Sequence, residues 1–151
     1  MKQVIIIALL AFAALAVFLR QQAPNGVSAH VEPGALADLG HGGVRLIGDA
    51  APVFEVPADT VLAAFLQVAR AHPRTELLAG SVDDGMVTVV VRSRVFAFQD
   101  YITAQAVPED GATRLHVAAR TRYPRASDWG VNRNRLEQWL LEIAERVGQA
   151  G

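Results

Sequence analysis

The sequence predicts an α+β domain in which two helices pack on one antiparallel sheet of about four to five strands, preceded by an N-terminal transmembrane helix. Three observations lead to this prediction. Residues 4–19 are apolar without interruption, strand-like segments follow one another through short turns, and apolar residues recur at helical spacing before and after those strands. With 151 residues, the chain has room for one modest core besides the N-terminal helix.

The apolar run at residues 4–19 predicts a membrane anchor, because it has no polar face and lies between Lys2 and Arg20. A cleavable signal peptide is the alternative, since residues 27–29 offer small side chains at a suitable spacing, and the mature protein would then begin at His30 and be secreted. The positive charge at the N-terminus outweighs that of Arg20, which favours a cytoplasmic start. We therefore expect a single-pass membrane protein of the bacterial envelope with an extracytoplasmic domain.

Composition divides the chain into three parts. Residues 1–20 are the anchor or signal peptide, residues 21–52 are a flexible tether rich in glycine and proline, and residues 53–148 are the folded domain. Within the tether, residues 44–47 fit either a short strand or an extended segment that lies on the domain.

The folded domain begins with a short strand at residues 53–56, followed by a helix. Asp59 is the expected N-cap of this helix, and Pro73 prevents its continuation. Four strands are predicted next, at residues 76–82, 86–95, 99–107 and 113–123. The turns inside both pairs contain Asp-Gly, which is typical of hairpins.

A last helix is predicted over residues 131–147, with Gly148 closing it. Its apolar face carries Leu136, Trp139 and Ile143, which we expect to pack on the sheet.

Strand alternation sorts the arginines onto one side of the sheet. Arg120 and Arg122 share a face of the last strand, and Arg92 and Arg94 share a face of an earlier one. One interpretation is a solvated outer face, which antiparallel sheets commonly have. The other is an anion site that recognises phosphate or carboxylate groups through arginine forks. Nucleic acid is not expected as a partner, since the formal net charge is -1.

Three further segments carry a resemblance. They are Phe-Gln-Asp-Tyr-Ile, Ala-Arg-Thr-Arg and Ser-Asp-Trp-Gly-Val-Asn-Arg-Asn-Arg-Leu, at residues 98–102, 119–122 and 127–136. Together they resemble domain-of-unknown-function family 1499, mainly over residues 92–140, and this resemblance implies no biochemical activity. The order of elements also resembles a helix-grip domain, in which small apolar ligands lie between a curved sheet and a C-terminal helix. That second resemblance concerns the fold alone.

Asp100 is the expected partner of the arginines, and the run at residues 127–136 is expected to clamp a strand to the last helix. Asp128 can cap free N–H groups there, and Arg135 sits early in a helix, where a cation gains from an acidic neighbour. The candidate polar cluster or anion site therefore comprises Arg92, Arg94, Asp100, Arg120, Arg122, Asp128, Asn132 and Arg135.

No catalytic residue, metal site or cofactor is predicted. The chain has no cysteine, its histidines lack ligand spacing, and Asp100 has no second carboxylate beside it for paired acid–base work. We expect a non-catalytic binding or structural role, with a lipid or an envelope protein as partner. The alternative is binding of a small apolar ligand or lipid in a pocket beneath the last helix. A hydrolase that uses Asp100 or His116 without a recognisable motif is the third hypothesis.

Overall fold

The computed structural model describes residues 1–125 and 127–150. Its helices are α1 (Lys2–Gln21), the single turn α2 (Gly26–Ala29), α3 (Ala58–Ala71) and α4 (Val131–Ala150). Its strands are β1 (Val44–Leu46), β2 (Val53–Phe54), β3 (Thr75–Ser81), β4 (Met86–Arg92), β5 (Gln99–Glu109) and β6 (Ala112–Thr121). The predicted α+β class is confirmed.

The sheet is antiparallel and has six strands in the described part of the chain, in the order β1-β6-β5-β4-β3, with β2 also paired to β6. Both short strands lie along β6, where Val44 is opposite Ala119 and Val53 is opposite Arg114. Strands of two or three residues are too short to show a clear period of 2, which explains why the sequence predicted four to five strands.

One face of the sheet is covered by α3 and α4. Val89, Ile102 and Val117, from three neighbouring strands, have no exposed surface and belong to the core formed with these helices. Trp139 of α4 is also fully buried and meets Phe65 of α3 edge to face, with ring centroids 5.8 Å apart. This aromatic pair lies within a core that is otherwise mostly aliphatic.

Several element boundaries differ from the sequence predictions by one to three residues. Gly148 lies within α4 instead of closing it, at a cost of about 1 kcal/mol relative to alanine. Pro57 is the N-cap of α3, and Asp59 lies in its first turn, where the carboxylate accepts a hydrogen bond from the Thr60 N–H and faces the positive end of the helix dipole. The strand predicted to reach residue 95 ends at Arg92, because the following residues form a loop.

The stretch from Gln22 to Ala29, which we call the 22–29 segment, lies on the face of the sheet opposite the helices. Ala29 is 1% exposed and packs with Val90 and Tyr101. Carbonyl oxygens of the segment accept hydrogen bonds from the sheet: Gln99 Nε2 donates to Gln22 O at 2.6 Å, Arg122 Nη1 to Ala23 O at 3.0 Å and Arg120 Nη2 to Ser28 O at 3.0 Å. The sheet face that carries the arginines is therefore covered here by protein backbone.

These hydrogen bonds predict that removing residues 1–30 destabilises the domain, whereas removing residues 1–20 does not. The longer deletion leaves the buried amide of Gln99 and three guanidinium groups without their acceptors, and we expect a loss of about 3 kcal/mol or more. Urea unfolding of the two truncated proteins, followed by circular dichroism, measures the difference. Equal unfolding midpoints would contradict this role of the 22–29 segment.

Candidate functional site

The structure divides seven of the eight predicted site residues between the two faces of the sheet and leaves the eighth in a loop. Asp100 lies opposite Thr121 in the β5–β6 ladder and shares the helix-covered face with Ile102. Alternation places Arg120 on the other face, so it cannot reach the Asp100 carboxylate. The residues meeting on the helix-covered face are Asp100, Asp128, Asn132 and Arg135, those on the opposite face are Arg92, Arg120 and Arg122, and Arg94 is exposed in the loop after β4.

The helix-side group forms a continuous polar network at the start of α4. Asp128 caps this end, since its two carboxylate oxygens accept hydrogen bonds from the N–H groups of Gly130 at 3.0 Å and Asn132 at 2.7 Å. Asn132 is fully buried and donates through Nδ2 to the carbonyl of Gly42 at 3.2 Å. Arg135 Nη1 then donates to Asn132 Oδ1 at 2.7 Å and to Asp100 Oδ2 at 3.1 Å.

The Asp100 carboxyl group is placed where its charged form is disfavoured. Burial raises the pKa of Asp100, and this effect outweighs the charge and hydrogen bond of Arg135, which lower it. The nearby charge of Asp128 raises the pKa further, and the hydrogen bond from Asn132 lowers it. The side chains of Asp100 and Arg135 are only 15% and 16% exposed, so the pair is held in a largely dry site.

The group on the opposite face already binds the 22–29 segment. Gln99, which is 2% exposed, accepts hydrogen bonds from Tyr101 Oη at 2.9 Å and from Arg122 Nη1 at 3.1 Å. The Arg120 guanidinium lies 5.6 Å from the centre of the Tyr101 ring, and burial lowers the pKa of Arg120. These contacts to carbonyl groups and an aromatic ring compete with binding of an anion by the same guanidinium groups.

A cleft of about 860 Å³ opens beside the polar network, between the C-terminal part of α1, the ends of β4 to β6 and the start of α4. Apolar side chains form most of its wall: Leu15, Leu19, Val91, Phe98, Tyr123, Trp129, Val131 and Trp139. Polar groups lie on its floor and edges: His72, Arg74, Arg92, Ser93, Asp100, Thr121, Ser127, Asp128 and Arg135. The space is therefore at one end of the helix-sheet layer, and it is an open cleft, not an enclosed pocket beneath the middle of α4.

One buried donor of the cleft wall has no acceptor within the described residues. The indole N–H of Trp139 makes no hydrogen bond, although Trp139 is fully buried and lines the cleft. The His72 ring lies 5.3 Å from the indole, but His72 Nε2 contacts Glu142 instead, at 3.2 Å. A buried polar group without a partner is uncommon in folded proteins and is often explained by water or a ligand.

The rim of the cleft is apolar and exposed. We call Phe98, Tyr123, Trp129 and Val131 the apolar rim; their exposed fractions are 44%, 39%, 91% and 47%. Trp129 adopts the left-handed conformation with φ of 56°, which is unfavourable for a bulky residue. The fold therefore holds the most exposed aromatic side chain of the domain in a strained turn, a feature found at functional sites.

The sequence predictions missed three features of this site. Successive side chains of a strand point to opposite faces, so counting back along β5 from the buried Ile102 would have placed Asp100 on the helix side. The same count places Gln99 on the arginine side. The predicted structural clamp includes Trp129, but this side chain is 91% exposed. The contribution of Leu19 to the cleft has no signal in the sequence, because it depends on the way α1 packs beside the domain.

Comparisons with known proteins identify a family but no activity. The sequence model of the family described as Protein of unknown function (DUF1499) matches residues 21–143, a range that includes the predicted tether. The fold is similar to the crystal structure of TTHA0849 from Thermus thermophilus, with 13% sequence identity, a TM-score of 0.38, and coverage of 72% of this chain and 99% of that chain. A search of functionally curated proteins found no significant match.

The raised pKa of Asp100 predicts a pH-dependent cost for the substitution Asp100→Asn. Because the folded protein keeps the proton to higher pH than the unfolded chain, the stability that Asp100 contributes is full below its ordinary pKa of 3.8 and is lost as pH rises through the raised value. Asparagine cannot lose that proton. The destabilisation caused by Asp100→Asn should therefore be smaller at pH 7 than at about pH 3.5 in urea unfolding. A larger cost at pH 7 would show that attraction to Arg135 outweighs burial.

The strained turn predicts that Trp129→Gly does not destabilise the domain. The lost side chain is 91% exposed and glycine adopts φ of 56° without strain, so the free energy of unfolding should rise by up to about 1 kcal/mol. Trp129→Ala is the matched control, because it removes the side chain and keeps the strain. Urea unfolding should rank the glycine variant above the alanine variant, and the reverse order would contradict the prediction.

Proposed function

The chain belongs to the DUF1499 family, as its sequence resemblance predicted, and since that membership assigns no activity, we propose a function from the cleft: a membrane-anchored, non-catalytic domain that binds an amphiphilic lipid. The observation that carries the proposal is the combination of apolar walls with a half-buried Asp100–Arg135 pair on the floor. A volume of about 860 Å³ lies within the range of small-molecule sites, roughly 300–1,000 Å³.

The exposed surface of α1 supports the membrane anchor. This helix of 20 residues is apolar and long enough to cross a bilayer, and none of its residues is fully buried by the domain. Ile7 and Leu10 are each 66% exposed, and lipid would remove such side chains from water. We therefore keep the sequence prediction that residues 1–20 are the membrane anchor. The N-terminus then lies in the cytoplasm and the domain on the other side of the membrane.

Retention of α1 is favoured over cleavage by the position of Ala29. Cleavage after Ala29 would remove the residues whose carbonyls accept hydrogen bonds from Gln99, Arg120 and Arg122. A mature protein beginning at His30 would leave these donors facing water or unpaired, which is unfavourable for the buried Gln99 amide. An uncleaved, single-pass form is therefore the proposed state.

The polar floor suits a head group that accepts hydrogen bonds. Within the described residues, both hydrogen bonds of the Arg135 guanidinium are made by Nη1, so Nη2 and Nε are available to a ligand. Asp100 and Asn132 fix the orientation of Arg135, which lowers the entropy lost when a ligand binds.

A negatively charged head group would be coupled to the protonation of Asp100. An anion beside Arg135 repels the Asp100 carboxylate, whose pKa is already raised by burial, and therefore favours its neutral form. Once Asp100 is neutral, the charge of Arg135 is available to the ligand. A carboxylate or phosphate on an acyl chain fits these requirements, and binding would be accompanied by proton uptake.

Two tryptophan substitutions on α4 test the proposal. Val131→Trp places a bulky side chain in the cleft, whereas Leu141→Trp, the matched control, enlarges an exposed residue that does not line it. Native mass spectrometry of the full chain, purified in mild detergent from its own membranes, should show a bound amphiphile in the wild type and the control. In Val131→Trp, overpacking of the cleft should reduce the fraction of protein that carries an amphiphile at least about fivefold.

Absence of an amphiphile from the wild type, or equal retention by both variants, would contradict the proposal. A co-purifying protein without any lipid would favour the structural role in the envelope.

A further inference from the structure

A loop of the domain contacts α1 well inside its apolar run. This loop, residues 93–98, is called the aromatic loop; it is closed by hydrogen bonds in both directions between Ser93 and Phe98, each 2.9 Å long. Phe96 meets Phe12 of α1 edge to face, with ring centroids 5.1 Å apart. Arg20, at the end of α1, donates to the carbonyl of Val95 at 3.2 Å.

The contact between Phe12 and Phe96 fixes the depth of the loop relative to the membrane helix. Phe12 lies eight positions before Arg20 in α1, which corresponds to about 12 Å along the helix axis. Arg20 is the cation at the end of the apolar run, so its guanidinium belongs at the level of the lipid head groups. The loop backbone lies near that level too, because the Val95 carbonyl accepts a hydrogen bond from Arg20, and the Phe96 ring, in contact with Phe12, reaches from there towards the hydrocarbon layer when α1 spans it.

Aromatic contacts continue from this loop to the apolar rim. Phe96 packs against Phe98 with ring centroids 5.3 Å apart, and Phe98 meets Tyr123 at 6.1 Å. Val95 at the loop tip is 52% exposed, and Trp129 on the same cleft is 91% exposed. One surface next to α1 thus presents apolar side chains from two separate loops, with tyrosine and tryptophan among them, as is typical of proteins at a membrane interface.

We propose that the aromatic loop and the apolar rim insert into the bilayer beside α1, so that the cleft opens into the membrane and its lipid enters from there. This proposal rests on α1 as a membrane anchor and adds the orientation of the domain. Arg94, exposed in the same loop, lies where it can meet lipid phosphates. A second copy of the chain is less suited to cover this surface, because the contact between Phe96 and Phe12 joins the surface directly to the membrane helix.

Fluorescence quenching by brominated lipid tests the insertion. The full chain is reconstituted into phosphatidylcholine vesicles with or without bromine on the acyl chains, and flotation establishes that it is membrane-bound. The chain has two tryptophans, so the wild-type signal minus that of Trp129→Phe reports Trp129 alone. We expect bromine to remove most of the Trp129 emission. Leu141→Trp in the Trp129→Phe background is the matched control, and its added tryptophan should stay unquenched.

Each other outcome overturns the inference in a recognisable way. If the protein floats with the vesicles but Trp129 is unquenched, the anchor stands and the insertion is wrong. If Trp129 is unquenched and the protein forms dimers in the vesicles, a second copy covers the surface. If the protein does not float, the anchor on which this inference rests is wrong, and the proposed function fails with it.

Discussion

The hydrogen bonds between the sheet and the 22–29 segment are the constraint on which the arrangement of this protein depends. Gln99, Arg120 and Arg122 donate to backbone carbonyls at the start and the end of this segment. The segment directly follows α1, so the same contacts that cover one face of the sheet also fix where α1 meets the domain. The residues just after α1 therefore act as part of the fold.

The two faces of the sheet use polar residues in different ways. On the outer face, guanidinium groups meet neutral carbonyls, which satisfies their donors without a buried counter-charge. On the helix side, Asp100 is buried beside Arg135. The desolvation of the Asp100 carboxylate outweighs its attraction to Arg135, and such a pair contributes little to stability. Ionisable groups with shifted pKa values in a cleft are typical of binding sites. This contrast favours the helix side as the functional one.

The sequence predicted the fold well and the site only in part. The α+β class, the hairpins and the apolar N-terminal helix follow from local periodicity, which depends on neighbouring residues. The division of the polar cluster could also have been predicted, since alternation along β5 separates Asp100 from the arginines. The cleft could not, because α1 reaches it through Leu15 and Leu19, more than seventy positions from Val91 on the facing strand. Such contacts depend on tertiary packing.

The central claim is that α1 and the domain form one unit with a fixed orientation at the membrane. A cysteine pair tests it directly, because the natural chain has no cysteine. Phe12→Cys combined with Phe96→Cys replaces two rings in contact, and Phe12→Cys combined with Leu141→Cys is the control for a residue exposed elsewhere on the domain. In native membranes, a short bifunctional thiol reagent should cross-link the first pair and leave the second unlinked. Equal cross-linking of both pairs, or of neither, would contradict the fixed orientation.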